Sequence, residues 1–96
     1  MTVTVHPRAE IALGTLAVKE QETFLHGLER LETHDRESLA SSGQLRALAG
    51  PAEGLYAFRA SHRLRAVLSV HNNGWVVEDI VRPARLRHLL GGGEKQ

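Results

Sequence analysis

The sequence predicts an α+β domain: an N-terminal helical hairpin packed on one face of a small antiparallel sheet, in the order β-α-α-β-β-β-α. Three observations predict it. Apolar residues recur at helical spacing through the first third of the chain, at Ile11, Leu13, Leu16, Phe24, Leu25, Leu28 and Leu31. The stretch LYAFRASHRLRAVLSV, residues 55–70, reads as two strands joined by a turn, the second with a period-two apolar face. Asn73-Gly74 then separates two further apolar runs, a strong short-range hairpin signal because both positions tolerate positive φ.

Each element has a local cause. TVTVH, residues 2–6, alternates and is β-branched, which suits a short strand. Pro7 stops pairing and fits the first turn of a helix. Gly14 and the β-branched Val18 weaken the middle of the helical stretch, giving two helices at roughly 8–16 and 19–33. The second sets Glu and Arg opposite its Leu stripe, as an amphipathic surface helix does. THDRESLASSG, residues 33–43, is polar and turn-rich and reads as a loop. QLRALAG, 44–50, reads as a short strand or turn, and PAEG, 51–54, as a break. WVVEDIV, 75–81, is the last strand; Pro83 ends it, and ARLRHLL, 84–90, forms a closing helical turn. Residues 1–90 make one domain and GGGEKQ, 91–96, a flexible tail.

A chain of 96 residues with 42% apolar and 24% charged residues is ordinary for one globular domain and argues against disorder. No apolar run reaches the roughly 18 residues of a membrane span. The start of the chain lacks a signal peptide's basic and apolar regions, and there are no cysteines. A cytoplasmic location is expected, with no membrane role, metal or cofactor. The net charge of +1 hides an asymmetry. Residues 1–53 carry five Lys/Arg against eight Asp/Glu, whereas residues 54–96 carry seven against three. Six of those seven are Arg, whose planar fork suits phosphate, so a polyanionic partner is favoured.

The order and spacing of these parts, from Val3 to about Leu90, resemble the RelE/ParE superfamily of type II toxin–antitoxin toxins. LYAFRASHRLRAVLSV resembles the family's Tyr-containing strand, Arg, short turn and Arg entering the next strand. QLRAL resembles the segment before it, and WVVEDIV with its basic sequel resembles the last strand and tail. The resemblance implies a toxin with a cognate antitoxin protein as partner. Its target is mRNA on the ribosome for RelE-like endoribonucleases, or DNA gyrase for ParE-like inhibitors. A non-catalytic relative that only binds a partner is a third reading. The resemblance places Arg65 at the scissile phosphate, Arg59 at the close of the preceding strand, and Arg82 at the basic position after the last strand. His88 falls where RelE-like enzymes carry a Tyr or His. The lysines those enzymes place on the first hairpin strand are absent; Ala57 and Phe58 stand there.

RNA cleavage of this type needs a base for the 2′-hydroxyl, an acid for the leaving oxygen and cations for the phosphorane charge. Arg59, Arg63, Arg65 and Arg82 are phosphate-clamp candidates, and His62 and His88 are proton-transfer candidates. Arg46 and Arg85 complete the RNA-binding set. Glu53 and Asp79 are carboxylate alternatives for the base. The structural alternative for Arg59 is a pair with Glu78. His6, His26, His34 and His71 lack metal-ligand spacing and read as surface or packing residues. Tyr56, Phe58 and Trp75 read as core.

Overall fold

Five strands form one sheet in the order β1-β5-β4-β3-β2. They are β1 (Val3–Val5), β2 (Leu45–Ala47), β3 (Tyr56–Arg59), β4 (Arg65–His71) and β5 (Gly74–Val81). Four helices accompany them: α1 (Pro7–Gly14), α2 (Val18–Thr33), α3 (Arg36–Ser41) and α4 (Pro83–Leu89). The structure is a computed structural model and describes residues 2–50 and 53–89, the side chains of His88 and Leu89 excepted. The tail expected at 91–96 lies outside the described residues. Strands β2 to β5 pair antiparallel, whereas β1 joins β5 in parallel. The parallel pair makes the sheet mixed, because the helical hairpin carries the chain back across the sheet before β2 begins.

The expected helices and strands appear within a residue or two of their predicted bounds, except that β2 stops at Ala47, short of the segment 44–50. In α1, Pro7 sits in the first turn, where its missing N–H costs nothing, and His6 Nδ1 accepts from Arg8 N at 3.1 Å. Helix α2 buries Phe24, Gly27, Leu28 and Leu31, one stripe at helical spacing. These side chains meet Ala9, Leu39, Phe58, Ala66, Leu68, Trp75 and Val77 in the main core. Each fully buried Leu or Phe contributes roughly 1.5–3 kcal/mol by leaving water.

Four features differ from the sequence expectation. Residues 33–43 hold α3 rather than a loop. Asp35 caps it, accepting from Ser38 N at 2.7 Å, and that bond holds the Asp35 carboxyl below its usual range. Leu39 anchors the helix, and the Arg36 guanidinium lies over the rings of Tyr56 and Trp75 while donating to the Tyr56 hydroxyl. Second, the β4–β5 turn is Asn72-Asn73, both at positive φ, not Asn73-Gly74. Gly74 is a strand residue, and a Cβ there would stand 2.8 Å from Thr2 Oγ1, beside the bond by which Trp75 N docks the start of the chain. Third, β5 carries a bulge at Glu78, since Val67 pairs with Asp79 and Leu68 with Val77. The extra residue lets Val77 and Ile80, three apart, both face the main core. Fourth, the sheet is covered on both faces: α4 sets Leu86 against Leu48, Ala57, Val67 and Val81 on the side away from α2.

Helix α2 approaches the β3–β4 turn so closely that only glycine fits at position 27. A Cβ built there would stand 1.9 Å from the carbonyl oxygen of Ala60. Gly27→Ala is therefore expected to destabilise the fold by at least about 1–3 kcal/mol, the cost of overpacking a rigid contact. Urea denaturation measures it; an unchanged midpoint would show that α2 is free to move away.

Candidate functional site

The sheet topology brings four chain segments to one end. There β2 and β4 begin, and β3 and β5 finish, with Leu45 paired to Phe58, Arg59 to Arg65 and Arg65 to Val81. Strand alternation then sends Arg46, Arg59 and Arg65 to the face that carries Ala57 and Val67. Helix α4 runs over the same face and adds Arg87. The result is a groove of about 510 Å³ lined by Arg46, Arg59, Arg65 and Arg87, with Ala57 and Leu86 among its apolar walls. No carboxylate stands among the described residues that line it.

This is an unfavourable arrangement for a free protein. Arg59 and Arg65 face each other directly across the β3–β4 ladder. Like charges so placed destabilise a sheet by roughly 0.2–1 kcal/mol. Partial burial, then the charges of Arg59 and Arg46, lower the Arg65 pKa below the ordinary arginine value. Arginine stays charged even so. The repulsion is held in place by the backbone. Arg65 Nη1 donates to the carbonyls of Ser61, His62 and Leu64 at 2.9, 3.3 and 3.2 Å. Arg59 N donates to Gln44 O at 2.8 Å, and Arg59 O accepts from Arg30 Nη2 at 2.6 Å. Arg30 Nε also donates to Gln44 Oε1 at 2.8 Å, with its guanidinium over the Phe58 ring.

The residues singled out in the sequence divide between two places. Arg46, Arg59 and Arg65 come together in the groove. Arg82 does not line it; it donates to Glu20 of α2 at 3.2 and 3.4 Å. That bond, with the charges of Arg82 and Arg63, holds the Glu20 carboxyl below its usual range. Arg63 and His62 lie with Glu20 and Lys19 in a smaller hollow on the α2 side. Arg85 is exposed on α4 and is not part of the groove lining. His88 belongs to α4 by its backbone, and its side chain lies outside the described residues. Asp79 accepts from Ile80 N at 2.8 Å, and Glu53 is exposed in the turn before β3; neither lines the groove. Glu78 pairs with Arg8 and Ser69, not with Arg59. Phe58 and Trp75 are buried, and Tyr56 packs edge-on against Trp75.

Sequence reasoning missed Arg87. The signal was available in helical spacing: Pro83 and Arg87 are four apart and flank the buried Leu86, which puts Arg87 on the sheet-facing side and turns Arg85 away. The spacing becomes informative only with the second core beneath α4, which a single closing turn does not imply.

Chemically, four guanidiniums in a groove with apolar walls can clamp a phosphodiester and stabilise added charge on it. They cannot serve as the proton acceptor.

No family profile and no curated protein matches the chain. Solved structures do. The chain is similar to YafQ from E. coli strain BL21(DE3), with a TM-score of 0.67, 8% identity, and coverage of 88% of this chain and 94% of that one. It is similar to the archaeal RelE–RelB complex from Pyrococcus horikoshii OT3, with a TM-score of 0.64, 22% identity, and coverage of 88% and 96%. A third match is the toxin–antitoxin complex RelBE2 from Mycobacterium tuberculosis, with a TM-score of 0.61, 14% identity, and coverage of 84% and 95%. The shared architecture spans nearly the whole chain on both sides, and by that architecture the chain has a RelE-like fold.

Proposed function

We propose that this protein is the toxin of a type II toxin–antitoxin pair and acts as a ribosome-dependent mRNA endoribonuclease. The observation that supports this most is the four-arginine groove, without a carboxylate in its described lining, on a RelE-like sheet. In the reaction, the 2′-oxygen attacks the adjacent phosphorus and the bond to the 5′-oxygen breaks. A 2′,3′-cyclic phosphate and a 5′-hydroxyl result. Arg65 and Arg59 hold the non-bridging oxygens as negative charge builds on them, with Arg46 and Arg87 holding the flanking backbone. The proton leaving the 2′-hydroxyl and the proton reaching the 5′-oxygen require a titratable group, and His88, next to Arg87 in the chain, is assigned that role. The partner is an antitoxin, in line with the toxin–antitoxin complexes solved for similar chains, and the basic groove is the surface it is expected to cover. The place of action is the cytoplasm.

A second reading, inhibition of DNA gyrase, has one observation in its favour. No His, Tyr, Asp or Glu stands among the described residues lining the groove. Binding without proton transfer needs none.

A reconstituted translation assay, with mRNA ends mapped by primer extension, separates the two readings. Ribosome-dependent cuts are expected. They fall by about a hundredfold or more in Arg65→Ala, the scale of losing one preorganised charge donor. Intact mRNA together with inhibited gyrase supercoiling would replace the first reading by the second.

Arg59 gives a second test because its two roles have opposite signs. Arg59→Gln removes a phosphate ligand but also relieves the opposition to Arg65. Cleavage is expected to fall, while the urea midpoint is unchanged or rises by an amount equivalent to a few tenths of a kcal/mol. A variant that loses stability instead would show that Arg59 serves the fold rather than the substrate.

A further inference from the structure

A second hollow, of about 390 Å³, lies beyond Arg59 on the α2 side of the same sheet end. His26, Gly27 and Arg30 of α2 form one wall, and the turn residues Ala60, Ser61 and His62 form another. Gln44 and Arg59 line this hollow and the arginine groove alike, so the two meet at Arg59. The contact of Gly27 with the Ala60 carbonyl keeps this end of α2 low against the turn. No carboxylate lines the hollow among the described residues. Glu29 bridges His26 at 3.7 Å with both side chains largely exposed. Past His62 the surface changes: the next hollow shares Thr23, Ser61 and His62 with this one but has Glu20 in its wall.

We propose that this hollow is a second RNA subsite and that a single strand crosses the sheet end at Arg59. One phosphate sits in the arginine groove, and the adjoining nucleotides lie against His26, Arg30 and His62. The proposal rests on the reading of the groove as an RNA site. Arg30 is fixed by Gln44 and the Arg59 carbonyl, so it is a stationary positive charge in the wall. His26 and His62 are exposed at the rim, where their ring faces are open to bases, a platform that tolerates any sequence. Past His62 the next hollow holds Lys19, Arg63 and Glu20, the last already paired with Arg82. An acidic peptide would be drawn by the same charges, but it has no use for two open imidazole faces.

The test is fluorescence anisotropy at low salt with a labelled uridylate dinucleotide and a labelled uridylate octamer. Only the octamer can reach both subsites. His62→Glu is expected to weaken the octamer about tenfold, the worth of one stacked base or backbone contact, and His62→Phe, which keeps a ring face, to leave it within about twofold. The dinucleotide stays within about twofold in both variants, and Arg65→Ala weakens both oligomers. If octamer binding depends on Arg65 but ignores the charge at position 62, the second subsite is overturned and the groove stands. Should neither oligomer bind, the groove reading and the subsite fall together. Sensitivity to position 62 seen with an acidic peptide and not with RNA would reassign the hollow to a protein partner and overturn the proposal.

Discussion

The direct opposition of Arg59 and Arg65 across β3 and β4 is the constraint on which the rest of the site depends. Two guanidiniums would separate if the backbone allowed it, so the fold has to prevent that. Three carbonyls of the β3–β4 turn hold Arg65. Arg30 and Gln44 hold the backbone of Arg59 from the other side of the sheet. Gly27 lets α2 come close enough to Ala60 for Arg30 to reach. A glycine in mid-helix is costly by propensity, and here the cost is offset by the close approach. The helical hairpin, read first as a core-forming element, thus also sets the geometry of the basic end.

The second core has a matching role on the opposite face. Leu86 packs on Ala57, Val67 and Val81, which fixes α4 across the strand ends and brings Arg87 to the three sheet arginines. The small Ala57 leaves room for the groove between Arg46 and Arg65. The lysines that the sequence resemblance leads one to expect on this strand are absent. Here the positive charge comes instead from arginines on β2, β3, β4 and α4.

Much of this was legible in the sequence, because strand period and helix period are local. The stretch 55–70 announced both strands and the turn, whereas the alignment of Arg59 with Arg65 follows from the register of the pair. The features that were missed depend on distant partners. Helix α3 is polar in sequence, and it forms because Asp35 caps it and Leu39 and Arg36 find partners in the core and on the sheet aromatics. The turn moved to Asn72-Asn73 because Gly74 was needed against Thr2, a contact between chain segments far apart in sequence. The resemblance puts Arg82 at the basic position after the last strand, but Glu20, on the polar side of α2, pairs with it away from the groove. Identity to the similar structures is 8–22%, yet the order of elements persists, which is why pattern carried the fold and exact residues did not carry the site.

On the reading proposed above, the sheet end is a charge cluster completed by an anion from outside. Thermal unfolding in inorganic phosphate and in sodium chloride at matched ionic strength tests it most directly. Simple screening acts equally in both salts, whereas a ligand that binds only the folded state adds stability with its concentration. Phosphate also stabilises folded chains in general by being excluded from their surfaces, so the comparison is between two chains. The gain in melting temperature in phosphate over chloride is expected to be larger in the wild-type chain than in a variant carrying both Arg46→Ala and Arg65→Ala; an equal gain in both would contradict that reading.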